Sequence, residues 1–412
     1  MRKIVSMIMV ALTVIGLLSG CSTSSTKKEV EITFLNNKTD INDTLLRDFA
    51  DKFEEENPGI KVKLEAVSDY YRVAQTRATG KALPDVSYLM NSLTKDEWDD
   101  FYVPLDDLDL GDFWFKDTFT HNGHLYAIPS QLNYSCIVYN KKTFEKAGIK
   151  EIPKTLDELY DACEKLKAIG VVPTTPIYKE SGSLGAYIEN IAPCMDADWI
   201  NKMAEKENPF TLDSPVGKVL TMIDTMHKKG YFEKELMSQT SEGMKRDIAQ
   251  GKLGFMVSQT WLLPQVITAG ADSADIGIFP IPFDNSGNFK TLLRPDMRLA
   301  VSKDSKHPEE AKKFLKWMMD TEYKSFLETM SGVISVKKDS DVYVMDQIKE
   351  FDELNPEKIQ NPDSNEMWSK VANKAQISFD AMAHSVIDKK DVQTVLDDYN
   401  KIWNKAYDSI NK

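Results

Sequence analysis

Residues 30–36 read VEITFLN, residues 45–57 LLRDFADKFEEEN, residues 60–66 IKVKLEA and residues 84–90 PDVSYLM. In the first stretch Val30, Ile32 and Phe34 alternate with Glu31 and Thr33, the period of two that marks a strand. It stops at Asn36-Asn37. Between Asp40 and Asn57 the period changes: Leu45, Phe49 and Phe53 recur at four-residue steps, with Leu46 and Ala50 beside them. A helix is expected there, ended by Asn57-Pro58-Gly59. Ile60, Val62 and Leu64 alternate again. A second helix is expected from about Asp69 to Thr79, closed by Gly80, and the apolar run Val86–Met90 reads as a buried third strand. The order β-α-β-α-β implies parallel strands joined by crossover helices, the start of an open α/β sheet.

The same signals continue downstream. Thr155-Leu156-Asp157-Glu158 after Pro153 is a capping box, and the helix it opens carries Leu159, Cys163 and Leu166 inward before Gly170. Val171–Ile177 reads as a strand interrupted by prolines. His307-Pro308-Glu309-Glu310 starts another helix, and the chain from about Met367 onward reads as helical. A length of 412 residues suggests two or three domains. No repeat and no long linker is visible, so two domains would be crossed by the chain more than once.

Asp plus Glu outnumber Lys plus Arg by 64 to 51, which argues against a nucleic-acid partner needing a basic stripe. There is no G-x-G-x-x-G, Walker loop, H-E-x-x-H, C-x-x-C or G-x-S-x-G. His121 and His124 have the spacing of a metal pair on a helix, but Asn122-Gly123 between them is a turn dipeptide, so a surface loop is expected. Asp96, Glu97, Asp99 and Asp100 around Trp98 read as a solvated acidic face rather than an acid–base pair. No catalytic residue, metal or cofactor is assigned.

The amino terminus reads as a targeting segment. Arg2 and Lys3 precede an apolar run from Ile4 to Leu18, too short for a membrane span. It ends in Leu18-Ser19-Gly20-Cys21, which resembles the lipobox of bacterial lipoproteins. Residues 1–20 are then a signal peptide, Cys21 carries the lipid, and residues 21–29 form a polar tether. This places the protein outside the cytoplasm on the bacterial cell membrane. Cys136, Cys163 and Cys194 remain. Three is odd, so at least one is a free thiol, and each reads as a small buried hydrophobe.

Several segments carry a wider resemblance. They are Phe49–Pro58 (FADKFEEENP), Gly80–Val86 (GKALPDV), Gly123–Pro129 (GHLYAIP) with Ile137–Asn140 (IVYN), Ala249–Val257 (AQGKLGFMV) leading to Trp261, Ile276–Phe283 (IGIFPIPF) and Val301–Ala311 (VSKDSKHPEEA). In this order, across roughly residues 30–335, the chain resembles the extracellular solute-binding proteins of ABC importers, in the maltose-binding-protein-like group that takes up sugars. The resemblance implies a periplasmic-binding-protein-like fold: two α/β lobes joined by a hinge of several crossings, with a ligand cleft between them. One lobe would hold residues 30–140 and about 270–335, the other 141–269 and about 336–412. It also implies a monomer that captures a carbohydrate by lobe closure and passes it to the transmembrane permease subunits, with no enzymatic step.

A sugar site needs aromatic plates for C–H faces and hydrogen-bonding groups for hydroxyls. Trp261 follows the GFMV strand, where the similar family places a stacking ring; a core tryptophan is the alternative. Asn37 and Asn91 follow the ends of the first and third strands, where asparagine is also an ordinary turn residue. Gln131 and Asn133 lie ahead of the apolar strand around Ile137, as cleft groups or as loop polarity. Tyr178, after Val171–Ile177, is a second ring for the cleft or for packing. Arg298 stands where the family has a glycine-rich turn. It would favour a carboxylate or phosphate on the ligand, or it pairs with Asp296 or another local acid. Two other functions remain open from sequence: the same fold binding a charged solute such as a polyamine, phosphorylated compound or peptide, and a surface glycan-active enzyme.

Overall fold

A computed structural model describes residues 29–90, 92–330, 334–338, 345–388 and 391–411. The signal peptide, the lipidation site Cys21 and most of the tether therefore lie outside the described residues, as does Asn91. The strands are β1 (Val30–Asn36), β2 (Ile60–Ala66), β3 (Val86–Tyr88), β4 (Thr120–His121), β5 (His124–Leu125), β6 (Ile128–Asn140), β7 (Phe255–Gln259), β8 (Ile276–Phe279), β9 (Lys290–Val301) and β10 (Glu357–Ile359).

The opening segment folds as its periodicity dictates. β1 lies parallel to β2, with Val30 opposite Ile60 and Phe34 opposite Leu64, and parallel to β3 through Phe34 and Val86. The crossover helices are Leu45–Glu56 and Tyr70–Thr79. The first starts later than its sequence pattern, because Lys38–Thr44 is taken up in turns. Its inward Phe49 and Phe53 meet Trp317 at 4.7 and 5.3 Å between ring centroids, and Phe314 bridges Phe53 to Phe34. Each such ring contributes roughly 1.5–3 kcal/mol by leaving water.

Two long strands then organise the molecule. β9 pairs antiparallel with β3 at its far end, from Val86–Val301 to Tyr88–Leu299. It pairs antiparallel with the first half of β6, from Ile128–Leu299 to Tyr134–Leu293. β6 then changes partners. From Ser135 onward it runs between β7 and β8, both antiparallel, while Lys290–Leu292 of β9 turn to β10. One strand therefore serves two sheet bodies, switching between Tyr134 and Ser135. A third passage lies alongside: Ile334 bridges to Leu132, and Val336 accepts from Trp114 N. The Tyr323 hydroxyl ties it in, accepting from Val336 N and donating to Ser130 O.

Two apolar cores follow this division only in part. One surrounds Phe34, Phe53 and Phe314 and continues through Tyr134 to Ile248, Leu262 and Phe351. The other gathers Phe144, Tyr187, Phe210, Trp199 and Trp403 under the terminal helices. The helical end consists of three helices, Glu366–Ala375, Phe379–Ile387 and Val392–Asn411.

Val171–Ile177 departs from expectation. It makes a single bridge, from Val172 to Leu253, and forms no strand. Pro173 and Pro176 lack the N–H groups that a ladder needs. The expected His121–His124 turn is a hairpin tip between β4 and β5, with Asn122 and Gly123 both at positive φ. Its histidines go to different carboxylates, His121 to Asp96 and His124 to Asp106. Cys136, Cys163 and Cys194 are free and buried.

Candidate ligand-binding site

The carboxyl ends of the parallel strands β1, β2 and β3 gather Asn36–Asn37, Val67–Tyr71 and Tyr88–Met90 on one edge. Ligands of open α/β sheets bind outside such strand ends. Here the edge abuts the β6–β9 ladder, since Leu89 N donates to Arg298 O over 2.7 Å.

Asp296 sits at the centre of that ladder. It lies opposite Gln131. Its Oδ2 accepts from Gln131 Nε2 at 2.8 Å and from Asn133 Nδ2 at 3.1 Å, and its Oδ1 from Met297 N at 2.8 Å. Gln131 and Asn133 are two residues apart on one strand and so share a face. The Lys38 side chain lies near enough to feel Asp296. Burial pushes its ammonium below the usual lysine range, against the upward pull of Asp296 and Asp40. Asn133 also faces the second half: its Oδ1 accepts from Thr260 Oγ1 at 3.0 Å, and Thr260 Oγ1 accepts from Tyr134 N. The residue after Thr260 is Trp261, which is 36% exposed. A tryptophan left this exposed is not a core residue.

Met297 has φ of 43°, although it is neither glycine nor asparagine and is buried. Ile177, with φ of 45°, shares this left-handed conformation, which is costly for a β-branched residue. Such strain collects at sites of binding and movement. At Met297 the backbone turn aims its amide at the Asp296 carboxylate.

The sequence-derived candidates divide as follows. Gln131, Asn133 and Arg298 come together on the β6–β9 ladder, and Trp261 joins them through Thr260. Asn37 is exposed, and its Oδ1 accepts from the Tyr88 hydroxyl at 3.4 Å. Arg298 donates to the Tyr71 hydroxyl at 3.3 Å; Asp296 takes its hydrogen bonds from the amides. Tyr178 is held elsewhere. Its hydroxyl bonds to Asp388 and its ring lies 4.4 Å from His384. Loss of solvent and that carboxylate push the phenol up to about 12. Sequence reading missed Asp296 as the organising residue, and Lys38, Thr260 and Tyr71 altogether. The signal for Tyr71 was present: adjacent Tyr70 and Tyr71 at a helix start cannot both face the core.

Gln131 Oε1 and the neighbouring Ser130 Oγ on β6 are buried and have no protein partner, so the ladder holds hydrogen-bonding capacity in reserve. Among the described residues no group of three or more His, Cys, Asp or Glu is arranged to hold a metal ion, and no helix is long and apolar enough to cross a membrane.

The profile of the family described as bacterial extracellular solute-binding protein matches residues 37–325. The multiple sugar-binding protein of Streptococcus mutans is 28% identical over 317 residues, 73% of this chain and 75% of that protein. The diacetylchitobiose-binding protein of Streptomyces coelicolor is 29% identical over 221 residues, 53% of this chain and 50% of that protein. A manno-oligosaccharide-specific solute-binding protein of Bifidobacterium animalis subsp. lactis, solved with mannotriose, shares 22% identity and a TM-score of 0.80 over 94% of this chain and 96% of that one. The architecture is the two-lobed α/β fold of solute-binding proteins. The chain belongs to the family of bacterial extracellular solute-binding proteins.

Proposed function

We propose that this protein is the lipid-anchored substrate-binding component of an ABC importer and captures an oligosaccharide or sugar derivative by lobe closure. The observation that carries this is the exposed Trp261 ring, held one residue from a buried network of amides, hydroxyls and a carboxylate. An apolar plate beside convergent hydrogen-bonding groups matches a sugar, whose C–H face stacks and whose hydroxyls bond. The names of the relatives, which bind sugars, support it.

The lobes divide at the partner switch of β6. We take the first lobe as residues 30–134 with 293–336 and the second as 135–292 with 345–411, drawn from where the ladders change partners. Ligand touching both lobes shifts the population toward the closed form by contacts made only there. The closed form then docks on the permease, and the cargo leaves chemically unchanged. Anchoring through Cys21 rests on the sequence of residues 1–21.

A thermal-shift screen of the purified protein against neutral oligosaccharides, uronic acids, sugar phosphates and polyamines tests the cargo class. A ligand that binds only the folded state raises the melting temperature by mass action. Stabilisation by a saccharide is expected. Stabilisation by polyamines or phosphorylated compounds alone, or release of reducing ends from a glycan, contradicts the proposal.

A further inference from the structure

Two exposed aromatic rings of very different origin stand near the β6–β9 ladder. Trp261 is the N-cap of the helix Leu262–Thr268 that follows β7, and Tyr71 is the second residue of the helix Tyr70–Thr79 that follows β2. Tyr71 is 47% exposed, whereas its neighbour Tyr70 is buried. Consecutive helical positions diverge by about a quarter turn or more, so only one of the pair can pack inward. Tyr71 has the opposite assignment, yet it is not a loose surface ring.

Two contacts hold it. Its edge meets the Tyr70 ring at 5.4 Å and 85°. Tyr70 in turn lies 4.6 Å from the Tyr88 ring, accepts from Tyr88 N at 2.6 Å, and so fixes the row to the end of β3. The Tyr71 hydroxyl accepts from Arg298 on β9, two residues from Asp296. Beyond β7, Trp261 adjoins Thr260, whose hydroxyl reaches Asn133 and through it the same Asp296. A carboxylate in the hinge ladder thus lies within a short chain of bonded residues from both rings. The ring at 71 also stands at the carboxyl end of a parallel strand, on the edge where open α/β sheets bind ligands.

We infer that Tyr71 is a second sugar-stacking plate, contributed by the first lobe, which meets the ligand opposite Trp261 when the lobes close. This rests on the sugar-binding function proposed above. Arg298 serves it as a positioning residue: its guanidinium holds the phenol hydroxyl and so sets the plane of the ring. A ligand gripped by one ring from each lobe gains its second stacking contact only on closure, which couples affinity to the closed population.

Calorimetric titration tests this, using the full-length chain in a non-glycosidic detergent with mannotriose, raffinose, N,N′-diacetylchitobiose, xylotriose and trigalacturonate as probes. With whichever saccharide binds, Tyr71→Ala is expected to raise Kd about tenfold or more and leave the melting temperature of the free protein unchanged. Tyr71→Phe, which keeps the plate and loses the Arg298 bond, is expected to raise Kd by about threefold. Tyr71→Trp in a Trp261→Phe background is expected to show a ligand-dependent change in emission at saturation that the Trp261→Phe parent lacks. A Kd within twofold of wild type for Tyr71→Ala, alongside a weakened Trp261→Ala, overturns the second plate and leaves the sugar-binding function standing. Failure of the unmodified protein to bind any probe removes the function on which the inference rests, and the plate falls with it.

Discussion

Gln131 and Asp296 face one another across the β6–β9 ladder, and Gln131 Nε2 donates to Asp296 Oδ2 over 2.8 Å. The same carboxylate receives Asn133 Nδ2 and Met297 N, so one acid fixes two side chains and the left-handed backbone at Met297. Both its oxygens are taken by protein donors. Its task is to hold donors in place.

Asp296→Ala should therefore destabilise the fold, because it strands three donors together. An unmet buried polar group costs roughly 1–3 kcal/mol. A loss of about 3 kcal/mol is expected in urea unfolding, with Asp296→Asn milder because its amide oxygen still accepts. An Asp296→Ala protein as stable as wild type would show that the network is dispensable.

Gly217 lies in the helix Pro215–Lys228, where a Cβ would stand 2.0 Å from Thr211 O and 2.8 Å from Leu212 Cα. Both are backbone atoms and cannot swing aside. Gly217→Ala should cost about 3 kcal/mol or more by overpacking, although alanine is the better helix former. A thermal melt unchanged from wild type would contradict this.

Glu65 is held below the usual carboxylate range by a hydrogen bond from Lys63, with burial opposing and Arg77 adding to the effect. A carboxyl with a lowered folded pKa stabilises above its unfolded value, and that stability is lost as pH falls through the folded value. Glu65→Gln should cost under about 1 kcal/mol at neutral pH, since both partners are partly exposed, and less at a pH below the folded value. An equal loss at both pH values would mean that packing, not charge, is responsible.

Cys136, Cys163 and Cys194 are buried, and burial pushes all three thiols up, Cys194 to about 12. With Cys21 changed to serine, the native protein should release no thionitrobenzoate from Ellman's reagent within minutes, and three equivalents once unfolded in guanidinium. Fast reaction in the native state would place at least one thiol at the surface.

Much of the fold was legible because its local signals agree with its packing. The Thr155 box forms both reciprocal bonds, Glu158 N to Thr155 Oγ1 and Thr155 N to Glu158 Oε2. Phe49 and Phe53 are buried at the four-residue step their spacing announced. β9 was hidden for a physical reason. Pro295 and the polar series Arg294, Asp296 and Arg298 interrupt its apolar pattern, and the left-handed Met297 twists it in mid-course. Those departures build the hinge ladder. Gln131 and Asn133 were named from their place ahead of the apolar run around Ile137, but their partner lies over 160 residues away, and no local period can reveal it. Tyr178 illustrates the converse, since its partners Asp388 and His384 belong to the terminal helices.

In the proposed function, the exposed ring of Trp261 beside the Asp296 network receives a saccharide. Isothermal titration of wild type and Trp261→Ala with neutral and acidic oligosaccharides tests it most directly. The expected result is saturable binding of a saccharide at micromolar or tighter Kd by wild type, weakened at least about tenfold, or 1.4 kcal/mol, in Trp261→Ala with the free protein equally stable. Saccharide binding that is indifferent to Trp261, or no saccharide binding at all, would contradict it.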